Sequence, residues 1–240
     1  MEDYKNRIGE KIINNQGYVL IIIDYIDSRN VLVEFQDEHK YRRKVRYSEF
    51  KNKGVQNPYH KTKLGIGYLG GLYEPNKETS KVSYKTWARM MTRCYSESST
   101  KLYKDCYVCD EWHNYSNFKK WFDKNYYNVY VKRMDLDKDI LVKGNKLYSP
   151  NTCIFVPHDI NILFRDVPTN HIKFDKKCKY HPFTVYYMDN NSKKVVKCFE
   201  FEKDAIKHSI SVRKEKILFL LDKYSIEMPK VIKESILNII

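Results

Sequence analysis

The sequence predicts an α+β protein built from small modules: an N-terminal β-barrel or meander, a central β-hairpin with flanking helices, and a C-terminal sheet backed by helices. Three patterns carry this expectation. Residues 18–26 are a near-continuous apolar run bounded by turn formers, as a buried strand requires. Residues 83–96 and 115–125 repeat apolar side chains at helical spacing. Residues 183–199 give two β-rich runs around a polar turn, and a long amphipathic stretch follows them.

Taken in order, Asn15, Gln16 and Gly17 make a turn before the first strand, and residues 27–30 make another after it. Residues 31–35 form a second strand and the basic stretch 42–47 a third, so residues 1–60 are expected to form a small β-barrel-like or meander domain. Residues 61–82 form a Gly/Pro-rich connector containing Gly65, Gly67, Gly70, Gly71 and Pro75. Its glycines suit a backbone strip pressed against DNA or against the core. Gly65, Gly67 and Gly70 have G-x-G-x-x-G spacing, but no strand pattern leads into them, so a phosphate-binding fingerprint is not expected.

Ser83 is expected to cap the 83–96 helix, with Trp87, Met90, Met91 and Cys94 on its inner stripe. Ser116 is expected to cap 115–125, with Phe118, Trp121 and Phe122 inward. Residues 134–156 read as a hairpin closed at 143–146, followed by a short helix over 158–165. Beyond the strands at 183–188 and 194–199, helices are expected over 202–224 and from Pro229 to the end. The domain boundaries that follow are 1–60, 61–82, 83–168 and 169–240.

The formal net charge is +14, distributed as +2 over residues 1–60, +6 over 61–170 and +6 over 171–240. Such an excess points to a polyanionic partner, most often nucleic acid. A composition 42% hydrophobic excludes a disordered chain. The longest apolar run is too short to span a bilayer, so no membrane partner is expected. The first residues do not read as a signal peptide, and six cysteines are too few for a disulfide scaffold. A reducing cytoplasm is the expected compartment. Cys106 and Cys109 have zinc-ligand spacing, and Cys94 and Cys153 could complete four ligands. No second C-x-x-C pair exists, so buried packing thiols are expected in place of zinc.

The central residues carry the chemistry. Trp87, Met90, Arg93-Cys94-Tyr95, Val108-Cys109 and Trp112 are followed by Leu136-Asp137-Lys138-Asp139, Gly144, Tyr148-Ser149-Pro150 and Cys153-Ile154-Phe155. In order and spacing, this third of the chain resembles the HNH nuclease modules of bacteriophage and mobile-element proteins. The resemblance implies a ββα fold around one Mg²⁺ or Mn²⁺ ion, a histidine that takes a proton from water, and DNA phosphodiester hydrolysis. It places the base at Lys138 and the metal ligands at Asp137 and His158, with Asn161 beside His158 on the same helix face. The loop-shaping asparagine falls on Thr152, with Asn151 as its neighbour and substitute. A lysine at the base position points instead to an ammonium that contacts a phosphate. Asp135, Asp137 and Asp139 alternate, so an extended strand would put them on one side, as a metal site or as a solvated acidic face. Trp87 and Trp112 are expected in the core, with Lys146 as a nucleic-acid contact beside the turn.

Residues 183–205 resemble the AP2-type DNA-binding domain, on Phe183, Val185, Tyr186, Lys193-Lys194, Lys197, Phe199, Phe201 and Asp204-Ala205. That family lays its sheet in the major groove. The resemblance implies that Lys179, Tyr186, Lys193, Lys194 and Lys197 contact double-stranded DNA. The combined expectation is a DNA-binding protein of an infected or prophage-carrying bacterial host, either a Mg²⁺-dependent nuclease or an inactive descendant. The alternative is a host-takeover or anti-defence factor that acts on a host protein. Target site and oligomeric state leave no trace in the sequence.

Overall fold

The computed structural model describes residues 7–72, 81–99, 103–130, 132–165, 171–189 and 192–240, with the side chains of 187–189 and 192–194 left out. Pro75 lies outside the described residues. The architecture is α+β, and the chain divides into two compact units, Met1–Lys124 and Asn125–Ile240. The boundary falls within the 83–168 span of the HNH-like pattern.

In the first unit, β1 (Lys11–Ile13), β2 (Val19–Asp27), β3 (Asn30–Phe35) and β4 (Arg42–Val45) form one antiparallel sheet in the order β1-β2-β3-β4. This is an open meander and not a barrel. β4 is only four residues long and does not reach β1, because the chain leaves Val45 directly for the short helix α1 (Tyr47–Lys51). One face carries Leu20, Ile22, Val31, Val33 and Phe35, which pack with Val45, Phe50 and Val55 into a core.

The glycine strip is pressed against protein. A Cβ on Gly67 would meet the Trp87 ring, one on Gly70 would meet Asn114 and Ser116, and one on Gly71 would meet Tyr41 and Tyr59. Gly70 also sits at φ +76°, where other residues are strained.

Helix α2 (Val82–Tyr95) buries Trp87, Met90 and Met91. It begins one residue before the expected cap. Ser83 is therefore inside the helix, buried, with its hydroxyl hydrogen-bonded to that of Tyr115 at 2.8 Å. After β5 (Tyr107–Val108) and the one-turn α3 (Asp110–His113), α4 (Tyr115–Asn125) buries Phe118 and Phe122. Its start is capped by Asn114, whose side-chain oxygen accepts the Ser116 N–H, while the Ser116 hydroxyl donates to the Leu69 carbonyl. Trp87 and Trp112 are both buried, and the Trp87 indole N–H donates to the Trp112 carbonyl at 2.7 Å.

In the second unit, β6 (Met134–Asp137) pairs antiparallel with β8 (Ile154–Pro157), with β7 (Leu147–Tyr148) in the loop between them and α5 (His158–Arg165) directly after β8. A three-stranded sheet follows in the order β11-β10-β9, from β9 (Ile172–Phe174), β10 (Phe183–Asp189) and β11 (Ser192–Phe199). The short β9 is an addition to the two strands expected there. Helix α6 (Glu202–Lys223) serves two layers. Ala205 and Ser209 are buried near its start, where it packs on the β9–β11 sheet. Near its end, Ile217 and Leu221 join Ile154, Val156, Ile160 and Ile236 of α7 (Lys230–Leu237) in one core. The hairpin and the C-terminal sheet are thus tied together by one helix. Among the described residues, no helix is long and apolar enough to cross a membrane.

Candidate functional site

The centre of the second unit is built on the β6–β8 register. Met134 lies opposite Pro157, Asp135 opposite Val156 and Asp137 opposite Ile154. α5 starts immediately after Pro157, so its first residue, His158, emerges beside the beginning of β6 and not beside its end. The backbone N–H of His158 donates to the Arg133 carbonyl at 2.9 Å. The side-chain partner of His158 is accordingly Asp135, with His158 Nδ1 and Asp135 Oδ2 2.5 Å apart. Asn161, one helical turn on, donates Nδ2 to the same oxygen at 2.9 Å, and Arg133 Nε donates to Oδ1 at 2.9 Å. Burial works to raise the Asp135 pKa, but the hydrogen bonds from His158, Asn161 and Arg133 outweigh it and hold the carboxyl below its ordinary value. His158 is 36% exposed and Asp135 10%. Asn161 is buried, and its Oδ1 has no hydrogen-bond partner among the described residues.

Asp137 has a different task. β6 ends there because Asp137 Oδ1 accepts the backbone N–H groups of Asp139 and Ile140, each at 2.7 Å, and turns the chain. Asp139 therefore falls beyond the strand, and the alternation of three aspartates stops at Asp137. Burial raises the Asp137 carboxyl above its ordinary value.

Lys138, at the position implied for the base, is 6% exposed. Its ammonium donates to Asp139 Oδ1 at 2.5 Å and to the Asn145 carbonyl at 2.6 Å. It is turned into the loop.

The residue that shapes this loop is Asn145. Its Nδ2 donates to the carbonyls of Lys138 and Leu147 at 2.9 and 2.7 Å, and its Oδ1 accepts the Leu147 N–H. Thr152 assists by donating to the Leu147 carbonyl at 2.8 Å, whereas Asn151 is exposed. The sequence signal for Asn145 was its place after Gly144 (φ +76°) in a turn.

Asp137 and His158, the pair expected to hold a metal ion, thus engage different partners. Among the described residues, no three His, Cys, Asp or Glu side chains are grouped to hold a metal ion. Asp135, and not Asp137, is the carboxylate hydrogen-bonded to His158. Among the thiols, burial raises Cys109 above its ordinary value.

The expected nucleic-acid contacts divide. Lys146 and Lys179 are exposed. Lys197 lies opposite Val185, which is buried, so register puts it on the covered side of the sheet, although it is exposed at the edge. Tyr186 follows Val185 and faces the other way, its ring 6.0 Å from that of His171. Lys193 and Lys194 lie on β11, and their side chains are outside the described residues.

In the first unit, Lys85, Arg89 and Arg93 recur every four residues along α2. With Lys63 and Tyr84 they line a groove of about 430 Å³. Their four-residue spacing is legible in the sequence. Compared with protein-family models, curated proteins and solved structures, the chain gives no match.

Proposed function

We propose that the chain binds double-stranded DNA through basic surfaces on an HNH-like frame whose centre maintains shape and does not cut. The observation that carries this reading is the engagement of Lys138 within its own loop. Its Nζ donates to Asp139 and to the Asn145 carbonyl and is turned away from any attacking water, so it is not placed to take a proton from one. The net charge of +14, the cationic groove on α2 and the exposed Lys146 and Lys179 support a polyanionic partner. A second reading, metal-dependent hydrolysis, is favoured by one feature. His158 is half-exposed and oriented by Asp135, as a proton acceptor would be.

The test is supercoiled plasmid incubated with Mg²⁺, Mn²⁺ or EDTA and run on a native gel. The expected result is a retarded band, equal in EDTA, without nicks. Lys138→His is expected to restore no cleavage, because Asp137 and His158 are not joined at one ligand set. Metal-dependent nicking that disappears in His158→Ala would replace the leading reading with the second. No retardation even at low salt would overturn both and favour a host protein as partner.

A further inference from the structure

The first unit holds a cleft of about 870 Å³ whose character is opposite to that of the rest of the chain. Its walls are aromatic. The His39 and Tyr59 rings stack at 3.9 Å with 17° between their planes, and the Tyr68 ring lies 5.9 Å from that of Tyr59. Its lining holds three carboxylates, Asp37, Glu38 and Asp110, against one cation, Lys61. The side chains of Glu38 and Asp110 are 86% and 105% exposed and stand as a charged rim, Glu38 Oε1 3.5 Å from His39 Nε2 and Asp110 Oδ1 3.7 Å from His113 Nδ1.

The walls are held in place by the backbone and by neighbouring side chains. Tyr68 N–H donates to the His113 carbonyl, and the Tyr68 carbonyl accepts the Tyr115 N–H. Tyr59 N–H donates to Asn57 Oδ1, and Asn57 is fixed in turn by Asp37 Oδ2 at 2.6 Å. His60 and His113 are tied to the hydroxyls of Tyr18 and Tyr95, respectively. Rings that need not be ordered on binding lose little entropy to a ligand.

We propose that this cleft binds an organic cation, an alkylammonium or guanidinium group, with aromatic faces around the charge and the Glu38 and Asp110 carboxylates at the mouth. Aromatic rings attract a cation through their negative faces, and carboxylates complete the neutralisation. The polyanion attracted by the rest of the surface is repelled here, so this site is independent of the DNA reading. The ligand chemistry has two sources, a free polyamine or a Lys or Arg side chain of a protein.

The full chain would be titrated with spermidine and, separately, with a capped Gly-Lys-Gly peptide, with the ring signals of His39 and His113 followed by NMR. Movement with spermidine alone assigns the free polyamine, movement with the peptide alone assigns a protein side chain, and movement with both assigns the shared group. In each case the Glu38→Gln/Asp110→Asn double variant, whose sites are exposed and safe for folding, should weaken binding by about threefold or more. The proposal fails if the signals stay put at millimolar ligand, if matched sodium chloride moves them equally, or if the double variant binds as tightly as the parent.

Discussion

Two aspartates that the sequence presents as equivalent have opposite electrostatics. Asp135 and Asp137 share one face of β6 two residues apart, yet one receives a histidine, an amide and a guanidinium while the other is buried against two backbone amides. The Asp135 carboxyl is held below its ordinary value, so its contribution to stability is present above the ordinary carboxylate range and is lost as pH falls through the lowered value. The Asp137 carboxyl is held above, so the fold favours its neutral form and loses stability as pH rises through the raised value. Urea unfolding of Asp135→Asn and Asp137→Asn between acid and neutral pH should therefore give opposite trends. The gap between the parent and Asp135→Asn should widen in favour of the parent as pH rises, and the gap with Asp137→Asn should move in favour of the variant. Equal trends would mean that the hydrogen-bond partners at this centre are wrongly assigned. None of this was legible in the sequence, because a period of two puts both carboxylates on one face without saying where α5 begins. The register Met134–Pro157 supplies that information and moves the histidine from Asp137 to Asp135.

At the level of elements, what could be read was set by the length of each pattern. The helices at 115–125 and 158–165 and the β10–β11 hairpin have enough apolar repeats to declare themselves. β1 and β9 have three residues each, too few for any period, and were missed. The choice between barrel and meander for residues 1–60 stayed open for a related reason, since closure depends on whether β4 can reach β1, and neither strand carries a signal for that. The glycines, by contrast, were informative in position but ambiguous in purpose. Gly70 and Gly144 share φ +76°, so alanine at either costs about 1–2 kcal/mol of backbone strain. Only at Gly70 does the new methyl also meet neighbouring atoms, those of Asn114 and Ser116, whereas Gly144 faces open space. Chemical denaturation should show Gly70→Ala to be the more costly by at least about 1 kcal/mol. Equal losses would indicate that the strip yields and is not clamped between the sheet and α4.

Across the whole molecule, charge is the property most easily misread, because a large excess can be spread evenly or gathered where phosphates would lie. Here part of it is gathered: Lys85 and Arg89 stand one turn apart on α2 in a groove that also takes in Lys63 and Arg93. Each Lys or Arg that neutralises a phosphate releases a condensed counterion and adds about 0.9 to the slope of log affinity against log salt concentration. If the α2 groove follows the backbone of duplex DNA, Lys85→Ala/Arg89→Ala should lower that slope by about 1.8 and weaken binding alike on unrelated sequences. Fluorescence anisotropy over a salt series measures both quantities on the same samples. An unchanged slope with unchanged affinity would take the groove out of the DNA surface and leave the exposed lysines of the second unit to carry it. A change confined to one DNA sequence would mean that these side chains read bases, a role that the even spacing of cations along one helix face does not suggest.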